Sequence, residues 1–317
     1  MVSKTKVIKP YALSHGSTLG IIAPAGPAYD PLEIEQGKKI LETFGFQVAV
    51  APNALQQNRY LAGTDDERLS DLHRMFLDPD VDGLLCLRGG YGCMRLLAQI
   101  DYRLIRQNPK ALVGYSDITA LQLAIWKRTG LVTFSGPMLV SDFGREPEEY
   151  TLKHFYKALT GPFAMGAIPP APGIKSKVLR PGRAGGRLLG GNLTLIAATL
   201  GTPYEIDTRG TILFLEDVGE QPYRIDRMLQ QLRLAGKFRF VAGVVFGEFT
   251  GCEAEEEKNS FSTLEVIRDA MKDIAAPCYY GLSTGHGANK TTLPLGVRAK
   301  IDATECRLTI TEPATLI

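Results

Sequence analysis

Acyl transfer needs a nucleophile, a base and a group that orients the base, and this sequence places one candidate for each beside a strand end or glycines. Ser116 lies in Gly114-Tyr115-Ser116-Asp117-Ile118-Thr119, between a short apolar strand and an amphipathic helix. That is the position of a nucleophile elbow, where a tight turn lifts a hydroxyl above the sheet edge. The helix N-terminus adds backbone N–H groups and a positive dipole end that can hold an oxyanion. Two features point elsewhere. Ile118 stands where G-x-S-x-G has its second glycine, and serine at this position commonly just caps the helix. A second turn, Arg88-Gly89-Gly90-Tyr91-Gly92, also follows a strand. Its glycines let backbone approach a ligand closely, and Gly90 N–H could supply a second oxyanion donor. The turn matches neither nucleotide-binding glycine motif, and from these residues alone a plain tight turn is the better reading.

Acids come next. Glu216 and Asp217 follow the apolar run Leu213-Phe214-Leu215, with Glu220 close behind. Acids at a strand's carboxyl end can orient a histidine or hold a metal, or they can favour a helix N-terminus. Glu216 is nearest the buried strand and the most costly to leave unpaired. Of the four histidines, His286 sits in Gly285-His286-Gly287-Ala288-Asn289-Lys290, where glycines leave room for substrate and for ring rotation. Imidazole is the usual general base near neutral pH. His15, His73 and His154 lie in an arm or in helices and read as structural or solvated. Cys86 and Cys93 flank the glycine turn, but neither follows a glycine at a strand-to-helix elbow, which ranks both below Ser116.

The elements that must position these residues alternate. Strand-like runs at Thr18–Ala23, Phe46–Val50, Val81–Leu87, Ala111–Gly114 and Val132–Phe134 are separated by helical patterns at Pro31–Phe44, Thr64–Leu77, Cys93–Gln99 and Asp117–Arg128. Thr64 with Glu67 spells a capping box, and Gly45 ends the first helix as a C′ glycine. Such alternation predicts a doubly wound parallel sheet, with ligands at the carboxyl ends of its strands. Residues 161–187 are dense in proline and glycine and read as a linker. Beyond them the pattern gives a helix at Leu188–Leu200 after Gly190-Gly191, strands at Thr211–Leu215 and Val241–Phe246, and helices at Pro222–Leu234 and Ser262–Ile274. The fold class is therefore α/β: an N-terminal doubly wound domain over 1–160, and a smaller C-terminal α/β domain over 188–317.

Composition narrows the function classes. The 317 residues are 44% apolar and 22% charged, and 36 Lys+Arg against 34 Asp+Glu leave a net charge of +2. This is globular composition, and it gives no electrostatic case for nucleic-acid binding. No apolar run approaches about 18 residues, so no membrane helix is expected. The basic N-terminus lacks an apolar segment and does not read as a secretory signal. Five widely spaced cysteines, without C-x-x-C, read by default as free thiols of a reducing cytoplasm, with a periplasmic location as the weaker alternative. Neither cysteines nor histidines have metal-ligand spacing.

Six co-linear segments now resemble one family. GIIAPAGP at 20–27, LRGGYG at 87–92, GYSDIT at 114–119, LGGNLT at 189–194, FLEDVGEQPYRIDRML at 214–229 and GHGANKTTLPLG at 285–296 resemble the LD-carboxypeptidases. These are cytoplasmic serine peptidases that include muramoyltetrapeptide carboxypeptidases and microcin C self-immunity peptidases. The resemblance implies Ser116 as nucleophile in the N-terminal domain, with His286 as base and Glu216 as its orienting acid in the C-terminal domain. It implies oxyanion donors at Asp117 N–H and the Gly89-Gly90 turn, with Gly90 favoured. Gly89, Tyr91 and Arg88 are then substrate-binding candidates. No metal or cofactor is implied, and homodimers are common in the family.

The implied reaction removes terminal D-alanine from a murein tetrapeptide, cutting after the L-centre of meso-diaminopimelate. A carboxypeptidase must also bind the terminal carboxylate. Arg88, Arg183, Arg187 and Arg224 are candidates by position, and sequence alone does not choose among them. Two alternatives remain at this level. One is a self-immunity peptidase that cleaves acyl-sulfamoyl adenylates, which needs a base-stacking surface, while the sole tryptophan, Trp126, reads as core. The other is a non-catalytic binding protein on the same fold, which is related in shape to glutamine amidotransferases.

Overall fold

The computed structural model describes residues 6–254 and 259–317, so the first five residues of the basic N-terminal arm lie outside it. The chain forms two compact units. One holds Met1–Ala164 with Thr291–Gly296 and Pro313–Ile317; the other holds Met165–Lys290 with Val297–Glu312.

In the first unit, β1 (Thr18–Ile22), β2 (Gln47–Val50), β3 (Gly83–Cys86), β4 (Ala111–Gly114) and β5 (Thr133–Ser135) form a parallel sheet in the order β2-β1-β3-β4-β5. The strands are short, and β3 and β4 are buried throughout. They read as continuous apolar runs because helices cover both faces of such a sheet. α1 (Pro31–Thr43) starts at Asp30, whose carboxylate accepts from Leu32 N–H at 2.8 Å, with Pro31 in the first turn. α2 (Asp65–Leu77) carries the expected capping box: Glu67 accepts from Thr64 N–H at 2.7 Å and Thr64 Oγ1 from Glu67 N–H at 3.2 Å. Two short helices follow, α3 (Cys93–Leu96) and α4 (Tyr102–Gln107). α5 (Ile118–Thr129) buries every residue from Ile118 to Trp126. It is a core helix rather than the amphipathic one expected, and its only polar side chain in the middle turns, Gln122, donates to Gly114 and Phe134 carbonyls at 2.9 and 2.8 Å. α6 (Glu149–Thr160) completes this unit's helices and buries His154, whose Nδ1 lies 2.7 Å from Tyr150 O.

The second unit begins inside the proline- and glycine-rich segment. That segment is not simply a linker: it holds β6 (Gly166–Ala167), β7 (Lys177–Arg180) and the start of β8 (Arg183–Asn192). β9 (Thr211–Val218), β10 (Gly243–Thr250) and β11 (Cys278–Tyr280) continue in parallel from β8. Between them run α7 (Leu193–Ala198), α8 (Pro222–Leu234) and α9 (Thr263–Met271), the last started by a capping box of Ser262 and Glu265. The chain then returns to the first unit for β12 (Leu293–Leu295), antiparallel to β5, so residues 188–317 are not one continuous domain. β13 (Arg298–Asp302) and β14 (Arg307–Ile310) close an eight-stranded mixed sheet, β6-β14-β13-β8-β9-β10-β11-β7.

The helix expected at Leu188–Leu200 is therefore half strand. Leu188, Leu189 and Gly190 to Asn192 pair with Ile212 to Glu216 of β9, and helix begins only at Leu193. Gly190 and Gly191 have φ of 147° and 143°. A Cβ on Gly190 would stand 1.9 Å from the Phe214 carbonyl oxygen. Gly190→Ala is expected to destabilise the protein by about 2–4 kcal/mol, since both conformation and space exclude a side chain. Chemical denaturation checks this, and a loss below about 0.5 kcal/mol would contradict it.

Candidate active site

The first unit positions the serine. β4 ends at Gly114, where a Cβ would meet Ile118 at 2.9 Å and Cys86 Cβ at 3.2 Å, so the chain turns tightly into α5. Ser116 has φ +63°, a left-handed conformation unusual for a serine. It is not the helix cap, because the N-cap of α5 is Asp117, which makes no side-chain capping bond. Asp117 turns its buried carboxylate away to accept from Cys93 N–H at 2.8 Å. Burial pushes that carboxyl's pKa up, with the Cys93 bond and the Arg68 charge partly offsetting it.

The glycine turn packs directly on this elbow. A Cβ at Gly89 would lie 2.9 Å from Ser116 Cβ and 3.0 Å from its Oγ. Gly89 C=O accepts from Gly26 N–H at 3.0 Å. In a trans peptide the next N–H points the opposite way, so Gly90 N–H, at φ +109°, faces away from Gly26. Neither Gly90 N–H nor Asp117 N–H donates to another group among the described residues. Tyr91 is exposed, its ring edge-on to Tyr60 at 5.8 Å. Cys86 and Cys93 are fully buried, and burial raises both thiol pKa values. That disfavours the reactive thiolate.

The second unit joins the other two residues. Glu216, near the end of β9, is 1% exposed, and its Oε2 lies 2.7 Å from His286 Nδ1. Oε1 is buried with no hydrogen-bond partner. Glycines make the room: a Cβ at Gly247 would meet Glu216 Cβ at 3.2 Å, and one at Gly285, φ +115°, would meet Glu216 Oε2 at 2.9 Å. A carboxylate accepting from Nδ1–H leaves Nε2 as the basic nitrogen.

The neighbouring acids have other work. Asp217 accepts from Asn192 Nδ2 at 2.9 Å, Thr194 N–H at 2.9 Å and Thr194 Oγ1 at 2.8 Å, so it fastens the β8–α7 turn. It serves α7 rather than the helix that follows it in sequence. Glu220 pairs with Arg224 at 3.5 Å. Glu248, which sequence reading passed over, lies beside the pair: a Cβ on Gly287 would collide with its carboxylate. Burial and the Glu216 charge raise its pKa, while Lys290 lowers it. No motif marks Glu248, which lies where the pairing register of β10 shifts between Phe246 and Phe249. Among the described residues, no three His, Cys, Asp or Glu side chains gather where they could hold a metal ion. No helix among them is long and apolar enough to cross a membrane.

The structure thus brings Ser116, Gly89, Gly90 and Asp117 together in one unit, and Glu216 with His286 in the other. Residues 19–136 match the LD-carboxypeptidase N-terminal domain, and residues 185–301 match the LD-carboxypeptidase C-terminal domain. The chain is 43% identical to the probable murein peptide carboxypeptidase of Bacillus subtilis, over 94% of this chain and 92% of that one. It superposes on the muramoyltetrapeptide carboxypeptidase of Oxalobacter formigenes with a TM-score of 0.83 at 32% identity, covering 94% of this chain and 100% of that one. It also superposes on MccF in complex with glutamyl sulfamoyl guanosine, with a TM-score of 0.90 at 26% identity, covering 97% and 99%. By both halves of its sequence and by its fold, the chain belongs to the LD-carboxypeptidase family of peptidases.

Proposed function

We propose that the protein is a serine-type LD-carboxypeptidase that releases the terminal D-alanine of a murein tetrapeptide. The observation that carries this reading is the pairing of buried Glu216 with His286 at 2.7 Å, in a chain whose other unit holds a serine on a left-handed elbow. Ser116 Oγ attacks the carbonyl carbon of the L,D-peptide bond while His286 Nε2 takes its proton. The Gly90 and Asp117 N–H groups hold the tetrahedral oxyanion. The imidazolium then protonates the leaving D-amino acid, and Glu216 stabilises the charged ring. Water, activated by the same histidine, hydrolyses the acyl-enzyme and restores the serine. The Arg88–Gly92 turn, with Gly89 and Tyr91, contributes to the substrate site. The protein works as a homodimer in the cytoplasm; cysteines 86, 93, 252, 278 and 306, all free thiols, suit a reducing compartment.

Incubating the protein with L-Ala-γ-D-Glu-meso-diaminopimelate-D-Ala in the presence of chelator is expected to release D-alanine at a steady rate. The relation to MccF supplies the second substrate for the same assay, a peptidyl sulfamoyl adenylate. Cleavage of that compound with no D-alanine release from the peptide would overturn the murein reading and keep the serine chemistry.

A further inference from the structure

Sheet order in the first unit reverses at β1, with β2 on one side and β3 to β5 on the other. In doubly wound sheets the crevice at such a switch point, outside the strands' carboxyl ends, is where ligands bind. Here three loops line it and are tied together. Gly26 N–H donates to Gly89 O at 3.0 Å, Ala62 N–H to Ala25 O at 3.0 Å, and Arg88 Nη1 to Pro27 O at 3.3 Å. Arg88 is half-buried, with its guanidinium carbon 5.3 Å from the centre of the Tyr29 ring. Its Nε is buried without an acceptor, and no carboxylate pairs with the side chain among the described residues. With Nη1 turned to Pro27, the edge left without an acceptor is the Nε–Nη2 fork, whose geometry matches a carboxylate's two oxygens. The other three arginines considered from sequence already face acids: Arg183 with Asp302 at 2.7 Å, Arg187 with Glu312 at 3.7 Å, and Arg224 with Glu220 at 3.5 Å.

A buried guanidinium donor left unpaired is costly, and this one rides on the turn whose next residue, Gly89, presses on Ser116. We infer that Arg88 receives the free carboxylate of the substrate's terminal D-amino acid, and so restricts cleavage to the last peptide bond. The cation–π contact with Tyr29 holds the guanidinium before substrate arrives. The inference rests on the peptidase reading above and adds the group that makes the peptidase an exopeptidase.

Its test compares the tetrapeptide acid with its C-terminal amide, using wild type, Arg88→Met and Arg88→Lys. Wild type is expected to prefer the acid by about 10- to 100-fold in kcat/KM, the usual weight of a charge-assisted pair. Arg88→Met collapses that preference to near one, mainly through KM, and Arg88→Lys keeps part of it, having the charge without the fork. A wild-type preference near one overturns the inference even if a variant misfolds. So does an Arg88→Met enzyme that loses rate on both substrates equally and keeps its preference. Wild type that releases nothing from either peptide would instead bring down the peptidase reading, and this inference with it.

Discussion

Ser116→Ala is expected to lower kcat for D-alanine release by about 10⁴- to 10⁶-fold, leaving a folded protein. The size follows from what the substitution removes. Without Oγ no acyl-enzyme forms, and what survives is binding plus whatever the oxyanion donors do for direct attack by water. In the proposed mechanism those donors are the backbone N–H groups of Gly90 and Asp117, which the substitution leaves in place. Stability should hold, because alanine pays about the same cost as serine at φ +63° and Ser116 provides no helix cap. Rapid quench with mass spectrometry gives a second readout: an acyl adduct on the wild-type protein and none on the variant. Circular dichroism checks the fold. A variant within tenfold of wild type would remove Ser116 as nucleophile.

Glu216→Gln is expected to cost about 10³- to 10⁴-fold in kcat, although the change replaces only one atom. The carboxylate oxygen that faces His286 Nδ1 at 2.7 Å requires a proton on that nitrogen, which makes Nε2 the unprotonated, basic nitrogen. If glutamine turns its NH₂ toward the ring, Nδ1 must accept, the proton moves to Nε2 and the base is gone. If it turns its oxygen toward the ring, the NH₂ falls where Oε1 now lies, a buried position with no hydrogen-bond partner. A donor stranded there costs about 1–3 kcal/mol, and the negative charge that stabilises the imidazolium is lost either way. Steady-state kinetics on purified Glu216→Gln and Glu216→Asp checks this. Aspartate keeps the charge but is a methylene short of the ring, so it should recover only part of the rate. A Glu216→Gln enzyme within tenfold of wild type would mean that His286 is oriented by something else.

The first unit was largely legible because its signals are local. The Thr64–Glu67 capping box, the Asp30–Pro31 helix start and the short apolar strands each declare themselves within a few residues. The errors fall where pairing is long-range. Apolar residues from Leu188 onward suit a helix or a buried strand equally, and only β9, more than twenty residues away, decides for strand as far as Asn192. Proline and glycine between 161 and 187 look like linker, yet β6 and β7 find their partners in β14 and β11. Likewise nothing near Leu293 announces that it will return to pair with Ser135.

The site divides along the same line. Sequence by itself determined the chemical types and their local settings: a serine at a strand-to-helix turn, an acid on a buried strand end, a histidine between glycines, and a glycine turn after a strand. Those settings depend on steric rules that act over a few residues, and six ordered segments were enough to identify the family. Only the tertiary structure decided what each group touches. It paired Glu216 with His286 across 70 positions, gave Asp217 to Asn192 and Thr194, aimed Gly90 N–H by binding Gly89 O to Gly26, and left Arg88 without an acid while three other arginines found one. The physical reason is that a carboxylate's role is set by its nearest donors and by its burial, and both come from strands and loops that meet only when the chain has folded.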